Sequence, residues 1–284
     1  MKNKATNTPL LHNEHEFALS GQDQAFLSSH DARGLQLQLD YLQAEVVMQR
    51  YAIEHTVVVF GSARIVDPER ATQELTRIES MIESSTSPQS LAQAHQQAKS
   101  MLRKSLEYYE EARKFGRLVG ESGKGPKDCR VTLMTGGGPG IMEAANRGAM
   151  EVGAKSIGLN IKLPREQIAN PYTTPELSLE FHYFAMRKLH FMQRAKALVI
   201  FPGGFGTLDE FFEILTLIQT RKHPPLPIIL IDKAYWSRVL SFEYLVEEGF
   251  VAPEDLELIG YASSASEAWK SILSWHERSH TDLF

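Results

Sequence analysis

The sequence predicts an α/β fold: a doubly wound, Rossmann-like parallel sheet with helices on both faces and a helical N-terminal extension. Three observations carry this. Short apolar runs of strand length alternate with longer segments of helical period. Glycine-rich turns stand at the carboxyl ends of those runs, as at Gly61-Ser62, Gly136–Gly140 and Gly203–Gly206. The chain has 284 residues, of which 43% are hydrophobic, enough for one large α/β core.

The elements follow in order. Residues 1–34 are polar, with Gly21 and Gly34 as breaks, and read as a mobile or partner-docked tail. Leu35, Leu39, Leu42, Val46 and Ile53 recur at close to helical spacing. Thr56–Phe60 is a buried strand that ends in a tight turn at Gly61-Ser62. Pro68–Ser87 is polar and serine-rich and reads as a surface excursion. Gln89–Val119 reads as one long helix, with Leu91, Ala94, Ala98, Met101, Leu102, Leu106, Tyr109 and Phe115 on one side. Gly120–Lys127 ends it.

The second half is regular. Arg130–Met134 is a strand, Pro139–Glu151 a helix and Ser156–Ile161 a strand. Lys162–Leu179, with three prolines, reads as a long loop. Ala185–Ala195 is a helix, Ala197–Phe201 a strand and Leu208–Thr220 a helix. Pro227–Ile231 is a strand and Ala234–Glu247 a helix. Leu256–Tyr261 and Ser264–Trp275 make a last strand and helix. There is no internal repeat. The reading divides the chain into an extension, residues 1–54, and a Rossmann-like domain, residues 55–284.

Composition excludes several classes. The net charge is -5, and no basic stripe or run of five like charges occurs, which argues against nucleic acid as a partner. One cysteine, Cys129, can form neither an internal disulfide nor a structural zinc site. No apolar run approaches a membrane span, and the start lacks the apolar core of a signal peptide. A soluble, cytoplasmic protein is expected.

Chemistry concentrates at the two later glycine turns. In Val131-Thr-Leu-Met-Thr-Gly-Gly-Gly-Pro-Gly-Ile-Met-Glu143, a strand runs into Gly136, Gly137 and Gly138, and a helix opens at Pro139. Glycines admit a ligand close to backbone N–H groups, and a helix start favours an anion. The dinucleotide fingerprint is not met, because Ile141 stands where its third glycine would fall and Asn160 ends the next strand in place of the ribose-binding acid. The second turn, Pro202-Gly-Gly-Phe-Gly-Thr-Leu-Asp-Glu210, leads through Gly203, Gly204 and Gly206 to Thr207, whose hydroxyl can cap a helix or meet a phosphate. It is not a P-loop, since Lys and Ser/Thr do not follow the last glycine. A small phosphorylated ligand, nucleotide in type, is expected where the turns meet.

Individual residues admit two readings each. Thr207-x-x-Glu210 has the spacing of a capping box, so Glu210 is either a cap or a carboxylate in the ligand pocket. Arg187 is either a surface ion-pair partner or a pocket residue. Glu143 complements the helix dipole or enters the pocket, and Met142 packs or touches the ligand. His182 and His190 have no partner at ligand spacing, and His12 and His15 lie in the tail, so neither a metal nor a cofactor is expected.

The stretch Pro202–Glu210 matches PGGxGTxxE, and with it the chain resembles the LOG family of cytokinin riboside 5′-monophosphate phosphoribohydrolases, long labelled lysine decarboxylases. The Arg187-Lys188 pair fifteen residues before Pro202, the Gly136–Met142 stretch and Gly61-Ser62 complete the likeness, which spans about Thr56 to Phe250. The longer N-terminal and 66–105 regions are similar to larger bacterial members acting on nucleoside monophosphates. The resemblance implies hydrolysis of a nucleoside 5′-monophosphate, such as AMP, to free base and ribose 5-phosphate. It implies Arg187 and Glu210 as catalytic residues, with Lys188 and the glycine turns binding substrate. Ala185 departs from the histidine that short members often carry there. Alternatives are a pyridoxal-dependent decarboxylase, for which no lysine is singled out, and a non-catalytic nucleotide sensor or carrier. A homodimer or larger homo-oligomer is expected from the long helical segments.

Overall fold

The computed structural model describes residues 19–84, 91–122, 128, 130–162 and 169–284. Cys129, His12 and His15 lie outside the described residues. The chain forms two compact units, Met1–Leu39 and Asp40–Phe284.

Among the described residues, seven strands form one parallel sheet: β1 His55–Phe60, β2 Val131–Thr135, β3 Ser156–Ile161, β4 Ser178–Phe181, β5 Ala195–Ile200, β6 Ile228–Ile231 and β7 Ile259–Ala262. Their order is β4-β3-β2-β1-β5-β6-β7. The chain winds outward from β1 to β4, then returns to place β5 on the other side of β1. That reversal opens a crevice past the carboxyl ends of β1 and β5, where ligands of such sheets bind. The doubly wound fold is therefore as expected. Its central strands are apolar on both faces because two cores cover them, one around Val58, Leu198, Phe211 and Trp236, the other around Val57, Val59, Phe115 and Ile141.

The helices are α1 Gly21–Leu27, α2 Arg33–Arg50, α3 Pro68–Ser84, α4 Ala92–Lys104, α5 Glu110–Gly120, α6 Ile141–Glu151, α7 Phe184–Gln193, α8 Phe205–Gln219, α9 Lys233–Val239, α10 Phe242–Glu247 and α11 Ala265–Ser279. Several depart from the sequence reading. Gly21 and Gly34 do not break structure; each lies in the first turn of a helix, where glycine costs little, and Ser20 and Asp23 close a capping box on α1. Residues 68–84 are helical, started by the Asp67 carboxylate on the Glu69 N–H (2.8 Å) with Pro68 at the first position. Of the loop expected over 162–179, residues 163–168 lie outside the described residues, and its end enters β4, a four-residue edge strand too short to show a period.

Two apolar faces are placed by the tertiary structure. Leu35, Leu39, Leu42 and Val46 are each 44–48% exposed, while α2 buries Asp40, Ala44 and Met48. Between α4 and α5 the helical run passes through a π-turn, Ser105–Tyr109. Its extra residue rotates the apolar face, so that Tyr108 and Tyr109 turn inward and Leu106 outward, 59% exposed. Pro139 does not open α6; Gly140 is its N-cap. The expected Ala234–Glu247 helix is two helices, α9 and α10, broken at Leu240-Ser241.

Candidate active site

The three glycine turns are stitched together by backbone. The Ser62 N–H donates to the Pro202 carbonyl (3.1 Å), and the Ser62 carbonyl accepts from the Ile141 N–H (3.1 Å). One residue of the turn after β1 thus holds the β2 and β5 turns side by side. Above them lies a cleft of about 520 Å³, a size suited to a small ligand. Gly61, Ser62, Gly136, Met142, Arg187, Gly204, Gly206, Thr207 and Glu210 all line it, as the sequence reading expects. Arg64, Phe184, Phe205 and Asp209 line it too, and sequence reasoning missed them. Phe205, the variable position of PGGxGT, is 93% exposed, an unusual state for phenylalanine.

Five expected residues stand elsewhere. Gly137 packs against Asn160, and the Gly137 and Gly138 carbonyls accept from the Asn170 N–H (2.9 Å) and Nδ2 (3.0 Å). Gly203 packs against Thr207. Lys188 is bound to Asp209 (2.8 Å) and Glu213 (2.9 Å), bracing α7 against α8. Desolvation opposes the Lys188 charge, but these partners outweigh it and raise its pKa. Glu143 is buried and accepts from the Tyr109 hydroxyl (3.1 Å), so it neither faces the cleft nor merely complements a dipole.

Glu210 is not a helix cap. The N-cap of α8 is Gly204, and the Thr207 N–H is already committed to the Gly204 carbonyl (3.0 Å). Glu210 lies a turn further on, 5% exposed. Burial drives its carboxyl pKa up to about 7, against the attraction of Lys188 and Arg187. The Phe205 and Gly206 N–H groups at the start of α8 have no protein acceptor among the described residues, leaving two donors and a positive helix end facing the cleft.

Arg187 sits between the Phe184 and Phe191 rings, 5.6 and 5.3 Å from its guanidinium carbon. Its Nε is buried without a hydrogen-bond partner. Desolvation lowers its pKa, opposed by Glu210 and Asp209, yet a guanidinium stays charged at neutral pH. A side chain at Gly136 would come within 3.3 Å of Arg187 Nη2 and 2.8 Å of Met142 Sδ, so that glycine makes room for the arginine. No salt bridge closes between Arg187 and Glu210 among the described residues; each feels the other's charge across the cleft.

The helix carrying Arg187 is itself anchored. Asp40, 2% exposed on α2, accepts from the His182 N–H (2.8 Å), His182 Nδ1 (2.9 Å) and the Tyr183 N–H (2.9 Å) at the start of α7. The only sequence signal was a carboxylate on a helix far from the motifs. Among the described residues, no cluster of three or more His, Cys, Asp or Glu could hold a metal, and no helix is long and apolar enough to cross a membrane.

A parallel sheet with a glycine-lined cleft at its switch point defines a Rossmann-like α/β protein. Comparison narrows the class. A family model described as possible lysine decarboxylase matches residues 142–272. Cytokinin riboside 5′-monophosphate phosphoribohydrolase LOG3 of Arabidopsis thaliana is 32% identical over 161 residues, 54% of this chain and 73% of that enzyme. The corresponding enzyme of the bacterium Rhodococcoides fascians is 29% identical over 145 residues, 49% of this chain and 72% of that enzyme. The chain belongs to the LOG family. Among solved structures, the molybdenum cofactor binding protein of Rippkaea orientalis aligns with a TM-score of 0.44 at 19% identity, covering 78% of this chain and 97% of that one.

Proposed function

We propose that this protein hydrolyses the N-glycosidic bond of a nucleoside 5′-monophosphate of the AMP type, releasing free base and ribose 5-phosphate. The observation that carries the reading is the Glu210 carboxyl. It is buried in the cleft, its pKa lies near 7, and unpaired backbone donors at the start of α8 stand one turn away. A 5′-phosphate on those donors sets the ribose beside Glu210. Glycoside cleavage develops positive charge on the sugar. The ionised carboxylate stabilises that charge and accepts a proton from the attacking water, so kcat/KM rises with pH through about 7. Arg187 offers an unpaired Nε to the base or the phosphate as negative charge moves to the leaving base.

The cleft lining includes no lysine among the described residues, and Lys188 is held by two carboxylates. This favours hydrolysis over Schiff-base chemistry. We also place the protein in the cytoplasm as a homo-oligomer: α2 exposes Leu35, Leu39, Leu42 and Val46 at helical spacing, a face that a second copy would cover. A panel of nucleoside 5′-monophosphates, followed for free base and ribose 5-phosphate, tests the reading. AMP that binds without adenine release would make the protein a nucleotide carrier instead.

A further inference from the structure

A second concavity, about 810 Å³, lies on the other side of the Pro202-Gly203 segment, between α4 and α9. It is larger than the candidate active site, and four of its lining side chains are cationic: Arg64, Arg103, Lys104 and Arg238. The one lining carboxylate, Asp232, is engaged on both oxygens, by the Tyr108 hydroxyl (2.7 Å) and the Tyr235 N–H (3.1 Å). Arg103 meets Glu107 at the surface (3.2 Å). Arg64, Lys104 and Arg238 form no salt bridge among the described residues. This gathering of cations belongs to a chain whose net charge is -5, so it is a local feature and not a basic surface at large.

We propose that this groove is a second anion site, which takes a small molecule carrying at least two phosphate groups. Several unpaired cations around one concavity match clustered negative charge better than a single carboxylate or sulfate does. A walled groove also fits a compact ligand, whereas a duplex or bilayer needs an extended stripe. Three of the four cations, Arg103, Lys104 and Arg238, come from α4 and α9, elements the candidate active site does not use. The groove nonetheless touches the catalytic loop: the Tyr235 hydroxyl donates to the Gly203 carbonyl (2.6 Å), and Ser62 and Arg64 line both cavities.

The test is calorimetric titration of the full chain with inorganic tripolyphosphate at low ionic strength. It compares the wild type with the double variant Lys104→Ser/Arg238→Ser and with Arg187→Ala. Neither Lys104 nor Arg238 lines the candidate active site, and Arg187 does not line the groove. The double variant is expected to bind at least tenfold more weakly, and Arg187→Ala to bind as the wild type does. No binding by the wild type overturns the proposal, as does a loss below tenfold in the double variant. So does an equal loss in Arg187→Ala, which would assign the anion to the cleft. None of these readouts depends on turnover, so the site stands or falls apart from the proposed hydrolysis.

Discussion

The two later glycine turns read alike in sequence and use glycine for opposite reasons. In Gly136–Gly140 the glycines are there because protein occupies the space a side chain would need. Gly137 and Gly140 have φ of +68° and +77°, and a Cβ on either would collide with Asn160 or with the Ser62 carbonyl. In Pro202–Thr207, Gly204 and Gly206 face nothing within 4 Å. Those two positions are open, beside unpaired N–H groups and a buried carboxylate. A glycine enclosed by protein is a packing device; a glycine facing a polar void leaves room for a ligand.

Substitutions test this contrast. The largest effect is expected from Glu210→Gln, a loss of turnover of about a thousandfold, roughly 4 kcal/mol, with nucleotide affinity nearly unchanged. Steady-state kinetics alongside direct binding would show it; near wild-type turnover removes the carboxylate from the chemistry. Gly140→Ala comes next. Its positive φ and its contact with Ser62 predict a stability loss of about 3 kcal/mol in denaturant unfolding, because the clamp joining the turns must open.

Wild-type stability should also depend on pH at Glu210. Burial raises its folded pKa to about 7 above the ordinary value of 4.5, so the folded state binds a proton that the unfolded state has released. That contribution is complete below pH 4.5 and is lost as pH rises through 7. Glutamine does not titrate. The stability of Glu210→Gln relative to wild type should therefore climb across this window, by up to about 3 kcal/mol at pH 8. A flat difference between pH 4 and 8 would mean that the carboxylate is solvated.

The smallest effect belongs to Gly206→Ala. The open space predicts an unchanged Tm, while a methyl group in the phosphate position raises nucleotide KM about tenfold, or roughly 1.4 kcal/mol. A lowered Tm with unchanged KM would put the second turn in the same class as the first.

Much of this was legible in the sequence because it is local. Strand periods, turn glycines and the PGGxGTxxE spacing are set by neighbours along the chain, so the fold class and nine cleft residues could be named in advance. The apolar stripe on α2 marked the helix but not its exposure, since period reports that a face is apolar but not what covers it. The π-turn at Ser105–Tyr109 shifts a face by one residue, which no regular period encodes. Asp40 was invisible as the anchor of α7, because its three donors lie more than 140 positions away.

By itself the sequence determined a parallel α/β fold with a glycine-rich crevice at its switch point, since alternation and turn chemistry act over a few residues. Only the tertiary structure decided which glycines face protein and which face the cleft, because that depends on what folds back from elsewhere. It decided Glu210 in the same way. A capping box and a pocket carboxylate share one spacing, and what separated them was the start of α8 at Gly204 together with the burial that holds the Glu210 pKa near 7.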